Sequence, residues 1–219
     1  MSTGAWEQKK NNQVLCAILS IEYTTVAWAL GLRNLQIPGQ ITILQGMPYD
    51  HARNAAVSLC LQQGFDWLFF LDSDVIPPRD AVYKLLSRNK PIISGVYYRR
   101  SPPAGIPVML RDSKWITEFP QNSIIEVDLV GAGCLLVNRQ VFERMQPQRP
   151  GKPWFDWRVD QQGHMPPGEC LSEDFTWCIA AKRQLGIPIC VDTSIQCRHV
   201  GHAQALLGRM EPLSTDVNT

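Results

Sequence analysis

Trp67-Leu68-Phe69-Phe70-Leu71 is an unbroken run of large apolar residues that changes at once into Asp72-Ser73-Asp74. A run with no polar alternation fits a strand buried on both faces, which needs helices on both sides of a largely parallel sheet. Two carboxylates then stand beyond the carboxyl end of that strand, where open α/β sheets bind their ligands.

The flanking sequence agrees with this. Val14 to Ile21 is another apolar run of strand length, and after a polar loop Val26, Ala29 and Leu30 recur at helical spacing. Gln40 to Leu44 reads as a strand, and Asp50 as the cap of a helix from His51 to Gln63 that Gly64 stops. After Pro77-Pro78, Arg79 to Ser87 reads as a helix and Ile92 to Tyr98 as a returning strand. The alternation predicts an α/β fold with one mostly parallel, doubly wound central sheet flanked by helices. The second half is looser. Arg99 to Gln121 and Pro147 to Gly168 are long loops, of the kind that carry function. Between them Ile124 to Val137 reads as strand interrupted by Gly131-Ala132-Gly133, followed by a short helix that Asn138 caps. Ser172 caps a helix to Leu185, and Ile187 to Ile195 supplies a last strand before Arg198-His199.

A chain of 219 residues fits one such domain. Residues 1–13 are expected as a flexible N-terminus, 14–202 as the domain and 203–219 as a short C-terminal segment. Lys and Arg total 21 against 20 for Asp and Glu, so no field attracts a polyanion and nucleic acid is not an expected partner. The seven cysteines form no C-x-x-C pair and read as buried thiols of a reducing, cytoplasmic compartment, although spacing leaves a Cys170/Cys178 or Cys190/Cys197 bridge open. Val14 to Leu32 follows two lysines and contains Ala27-Trp28-Ala29, which has the look of an export signal. Glu22, Tyr23, Thr24 and Thr25 break the run, and no membrane span is expected.

Asp72 and Asp74 offer hard oxygen ligands suited to Mg2+ or Mn2+, ions that can neutralise a departing diphosphate. The plainer alternative is a polar turn whose side chains bond the local backbone. Glu173-Asp174 at a helix start is favoured by the helix dipole alone, yet a carboxylate there can also serve as a general base. His199 can complete a metal site or cap a loop. Trp154, Phe155 and Trp157 can stack on a sugar or anchor their loop to the core.

Taken together and in order, these stretches resemble the nucleotide-sugar-dependent glycosyltransferases of the GT-A fold, especially small bacterial and phage-type members of glycosyltransferase family 2. The resemblance rests on His51-Ala52-Arg53-Asn54, Trp67 through Val75, Ser94 through Arg99, Val130 through Cys134, and Ser172-Glu173-Asp174-Phe175 through His199. It implies a metal-dependent transfer of sugar from a nucleoside diphosphate sugar, a UDP-sugar ahead of a GDP-sugar, to a glycan, lipid or small-molecule hydroxyl. It divides the domain into a nucleotide-binding half, 14–100, and an acceptor or sugar half, 101–202. It implies Asp72, Asp74 and His199 as ligands of Mn2+ or Mg2+, and Asp174 as the general base of an inverting reaction with Glu173 touching a sugar. Ser20, Glu22, Arg53, Asn54 and Ser73 are implied at the nucleotide, and Gly131, Ala132 and Gly133 as the floor under the transferred sugar. Arg99, Trp154, Phe155 and Trp157 are implied as acceptor contacts. The sequence departs from the family after the first strand, where Leu19-Ser20-Ile21-Glu22-Tyr23 replaces a Pro-Thr or Pro-Ser signature.

Two other readings use the same residues. A phosphatase of the haloacid dehalogenase type would make Asp72 a nucleophile, but there the motif ends the first strand, whereas two strands precede it here. A sugar-nucleotide- or glycan-binding module without turnover would keep the architecture alone.

Overall fold

A computed structural model describes residues 13–20, 23–99, 105–157 and 171–200. Glu22, Cys170, the 203–219 segment and all of the expected N-terminal segment except Gln13 lie outside the described residues.

The first half follows the expected alternation. Strand β1 (Val14–Ser20) leads to helix α1 (Val26–Asn34), β2 (Gly39–Gln45), α2 (Tyr49–Gln63) and β3 (Trp67–Asp72). A short β4 (Val75–Ile76), α3 (Ala81–Ser87) and β5 (Ile92–Val96) follow. The second half adds β6 (Met109–Arg111), β7 (Lys114–Trp115), β8 (Ile124–Val127), β9 (Leu129–Val130), β10 (Cys134–Asn138), α4 (Arg139–Arg144), α5 (Glu173–Leu185), β11 (Ile189–Gln196) and β12 (Arg198–His199). The expected loop Arg99 to Gln121 therefore contains a hairpin, β6–β7, and the expected single strand Ile124 to Val137 is three strands in two sheets.

The main sheet has seven strands in the order β2-β1-β3-β10-β5-β11-β8. β1, β2, β3, β5 and β11 run one way, while β10 and β8 run against them. The antiparallel β10 decides where the site forms. Its first residues lie at the same edge as the last residues of β3 and β5, so Gly131-Ala132-Gly133 is delivered to Asp72 and to Tyr97. β12 pairs with β4 across the same rim, His199 opposite Val75, next to Asp74.

Alternate residues of the central strands feed two cores. Leu15, Ala17, Leu19 and Phe70 face α2, α4 and α5 through Val57, Phe142 and Trp177. Val14, Cys16, Ile18, Phe69 and Leu71 face α1 and α3 through Trp28, Val82 and Leu85. β3 is buried on both faces as its composition requires, with Leu68, Phe69 and Phe70 all fully buried.

Helix ends depart from expectation in two places. α2 begins at Tyr49 with Pro48 in the cap position, so Asp50 is a buried first-turn residue rather than the cap. It accepts the His51 N–H at 2.9 Å and pairs with Lys152, because an acid this deep needs a cation. At α5, Ser172 occupies the cap position, but its hydroxyl goes to the Asp174 carboxylate instead of a backbone N–H. The stretch that has the look of an export signal is divided between β1 and α1, and among the described residues no helix is long and apolar enough to cross a membrane. Cys178, Cys190 and Cys197 are free buried thiols, which excludes the Cys190/Cys197 bridge.

Candidate active site

The Asp72-Ser73-Asp74 turn is held from outside by backbone bonds. Trp28 of α1 donates its indole N–H to the carbonyls of Asp72 at 3.1 Å and Val75 at 2.9 Å. Thr24 donates its hydroxyl to Ser73 O at 2.8 Å, and Ser73 N–H reaches Leu19 O at 3.1 Å. Asp72 N–H donates to Gly133 O at 3.2 Å, and Val200 N–H to Asp74 O at 2.7 Å. With the backbone fixed this way, the two carboxylates take part in long-range contacts, which argues against a self-bonded polar turn.

Asp74 Oδ1 lies 3.3 Å from His199 Nε2. On the other side of the ring, His199 Nδ1 is 2.6 Å from the Tyr98 carbonyl oxygen. A carbonyl only accepts, so Nδ1 carries the proton, and a neutral imidazole turns its Nε2 lone pair toward a carboxylate. Two acceptors face each other, an arrangement relieved by a proton on Nε2 or by a cation. Adjacent ligands of an octahedral Mg2+ at about 2.1 Å stand about 3.0 Å apart, and a backbone carbonyl on the far nitrogen is the usual support for a metal-binding histidine. The donor set at Asp74 and His199 therefore fits the expected ion. Asp72 is arranged differently. Its Oδ1 accepts from Arg53 Nη2 at 3.2 Å, and among the described residues no three acidic, histidine or cysteine side chains already converge as a metal cage.

Arg53 lies beneath the site, 2 % exposed, and not at its surface. Besides Asp72 it donates through Nε to Glu173 Oε1 at 2.9 Å and through Nη1 to Ala132 O at 3.4 Å, with its guanidinium over the Phe70 ring at 5.4 Å. Burial alone would lower its pKa, but Asp72, Glu173 and Asp174 more than reverse this and raise it. Burial pushes the Glu173 carboxyl up to about 7, with Arg53 opposing and the neighbouring Asp174 adding to the rise. Burial also raises Asp72, against Arg53 and with help from Asp74 and Asp174. Two expectations change here. Arg53, expected at a nucleotide, joins Asp72 to Glu173 below the rim, and Glu173, expected at a sugar, is turned inward onto Arg53.

Among the described residues Asp174 makes no direct ion pair, although Arg53 lies near enough to act on it electrostatically. Its Oδ2 accepts the Ala132 N–H at 3.0 Å, and its Oδ1 accepts the Phe175 N–H at 2.8 Å and the Ser172 hydroxyl. Among the described residues these three donors leave one of about four lone-pair sites, on Oδ2, for a further proton.

Gly131 and Gly133 accommodate a ring, and that ring is the one of Tyr97. A Cβ on Gly131 would stand 1.9 Å from the Tyr97 hydroxyl, and one on Gly133 3.0 Å from its Cζ and 3.1 Å from Asp72 Oδ2. Gly133 N–H donates to the Tyr97 hydroxyl at 3.1 Å, and the same ring meets His199 edge-on at 5.5 Å. Burial, with Asp174 and Asp72 nearby, holds the phenol pKa well above its ordinary value, so it stays protonated. The expected sugar floor is thus packed from the Cβ side by a protein side chain. Tyr97 and Trp28 have no role in the sequence reading. The glycine pair is the one available signal for Tyr97.

Asn54, expected at the nucleotide, anchors a loop. Its Nδ2 donates to Asp50 O at 2.8 Å and Phe155 O at 2.7 Å, while its Oδ1 accepts Trp154 N–H at 3.0 Å and Phe155 N–H at 3.1 Å. Phe155 is fully buried and stacks on Trp177 at 5.3 Å, and Trp154 donates its indole N–H to Phe142 O at 3.0 Å. Both aromatics serve as anchors, which excludes Phe155 from stacking on a sugar. Trp157 is half-buried where the described loop stops. Replacing Asn54 by Ala would leave several buried backbone groups unpaired, at an expected cost of about 3 kcal/mol. That is a melting-temperature drop of roughly 6–12 °C, readable by calorimetry.

Arg99 lies over the Trp115 ring at 4.9 Å, and Trp115 meets Phe175, the neighbour of Asp174, at 6.1 Å. Ser20 is half-buried at the end of β1, where its carbonyl accepts Gly46 N–H at 3.1 Å.

No protein-family model and no curated protein matches the sequence. Among solved structures, the chain is similar to A197 from STIV, with a TM-score of 0.60 at 20 % identity over 86 % of this chain and 85 % of that one. It is also similar to GalNAc-T7, in a crystal structure with UDP, GalNAc and Mn2+, with a TM-score of 0.50 at 10 % identity over 87 % of this chain and 44 % of that one. At these identities the likeness is one of fold, and the chain has a GT-A-like α/β fold.

Proposed function

We propose that the chain is a metal-dependent glycosyltransferase that moves the sugar of a nucleoside diphosphate sugar to an acceptor hydroxyl with inversion. The observation that supports this most is the Asp74 Oδ1–His199 Nε2 pair, 3.3 Å apart on the same rim of the sheet as the Asp174 carboxylate. Asp74 and His199 would hold Mn2+ or Mg2+, which would neutralise the charge of the departing diphosphate. Asp174 accepts the acceptor's proton on the open side of Oδ2 as that hydroxyl attacks the anomeric carbon. Arg53 keeps Asp72 and Glu173 in place below, and Tyr97 holds the Ala132–Gly133 peptide, so that the acid and metal ends of the site keep a fixed spacing. UDP comes before GDP because GalNAc-T7, similar in fold, holds UDP.

The test is nucleotide release. Incubated with Mn2+ and a panel of UDP- and GDP-sugars, with sugar and glycoside acceptors, the chain is expected to liberate free UDP or GDP from one of them and to stop when the metal is chelated. Liberation of inorganic phosphate from simple phosphate esters would instead support the phosphatase reading. Saturable binding of a sugar nucleotide without release would support the binding module.

A further inference from the structure

Among the described residues β2 is the outermost strand on its side of the main sheet and pairs only with β1. At one end of that pairing Val14 N–H donates to Pro38 O at 3.0 Å, and at the other Gly46 N–H donates to Ser20 O at 3.1 Å. Because peptide groups alternate along a strand, the even-numbered residues of β2 turn theirs to β1, and Ile41 and Ile43 turn theirs outward. The side chains of Ile41 and Ile43 lie in register with Cys16 and Ile18, on the face that α1 covers through Trp28. Ile41 is 49 % and Ile43 62 % exposed. Exposed edges are ordinarily blunted by lysine, proline or a bulge, and Gly39–Gln45 contains none of these.

We propose that the partner of this edge is β2 of a second copy, paired antiparallel about a two-fold axis at Thr42. Three observations favour a second copy over another partner. Thr42 is the midpoint of the strand, so an axis there sets Ile41 of each copy opposite Ile43 of the other, apolar against apolar. Ile41 and Ile43 are also the residues with outward peptide groups, so each Ile41–Ile43 pair exchanges both N–H···O bonds and the two pairs together make four. Charge agrees as well. Around a two-fold axis every charge meets its own like, and from Asn34 through Tyr49 the sequence contains no charged residue. The result is one continuous sheet through both copies.

Light scattering on the full chain tests this, supported by two substitutions. The wild type is expected at twice the chain mass of 24.7 kDa. Thr42→Cys should form a disulfide-linked dimer on mild oxidation, because Thr42 faces itself across a non-hydrogen-bonded pair where Cα atoms approach to about 4.5 Å. Ile43→Lys, at an exposed position, should give a folded monomer whose melting temperature falls only by what the dimer contact contributes and no longer depends on protein concentration. A wild type that stays at the single-chain mass wherever it is soluble would overturn the proposal, and so would protection of the Ile41 and Ile43 amides from exchange in that monomer, which would mean the edge is covered by its own chain. A dimer that survives Ile43→Lys and gives no Thr42→Cys cross-link would overturn it too, in favour of another surface.

Discussion

Asp174→Asn is expected to lower turnover about 10²–10⁴-fold while leaving metal-dependent nucleotide binding nearly unchanged. Among the described residues the carboxylate has one lone pair beyond the three donors that hold it, and an amide in its place removes the proton acceptor. The substitution also sets an amide N–H₂ where Ala132 N–H or Phe175 N–H needs an acceptor, so some stability is lost as well. Binding separates these effects, because a variant that still takes up UDP with Mn2+ has kept its site and lost its base. An equal loss in binding and turnover would place Asp174 among the structural acids and leave the base unassigned.

Arg53→Ala should be the most damaging single change to stability. Removing one partner of a buried ion pair typically costs about 3–5 kcal/mol because the other charge stays buried. Here two carboxylates, Asp72 and Glu173, lose their cation together. Urea titration should show the midpoint falling accordingly. A double variant, Arg53→Met with Glu173→Gln, should recover part of the loss, since it removes both a buried charge and its unmet partner. If Arg53→Ala melts like the wild type, the buried link between the two acids is not what holds the site together.

The sequence was informative where a residue's chemistry and its neighbours in the chain decide its place. The run from Trp67 to Leu71 reads as an interior strand by its length and lack of polar alternation, with Asp72 and Asp74 following at its end. The direction of β10 was not legible, because Leu135-Leu136-Val137 buried on both faces reads the same whichever way it runs. That reversal is what brings Gly131-Ala132-Gly133 to Asp72 and Tyr97. Arg53 and Asn54 show a second limit. A polar residue in the first turns of a helix reads alike whether it faces a ligand or the inside, and here buried carboxylates and the Trp154-Phe155 backbone claim both. The same ambiguity covers Glu173 and Asp174, adjacent acids separated only by which one finds Arg53. Tyr97 gave no signal of its own, since an aromatic residue after a strand is ordinary core until the glycines opposite it are known. His199 pairs with Asp74 through β12 and β4, two-residue strands too short to leave a pattern in sequence.

The most direct measurement is the binding isotherm of UDP in the presence and absence of Mn2+, for the wild type and for Asp74→Asn. Saturable binding that needs the metal and disappears in the variant, with its melting temperature retained, is the expected result. Binding of UDP that is indifferent to both Mn2+ and the Asp74 carboxylate would contradict a metal-held diphosphate at this site.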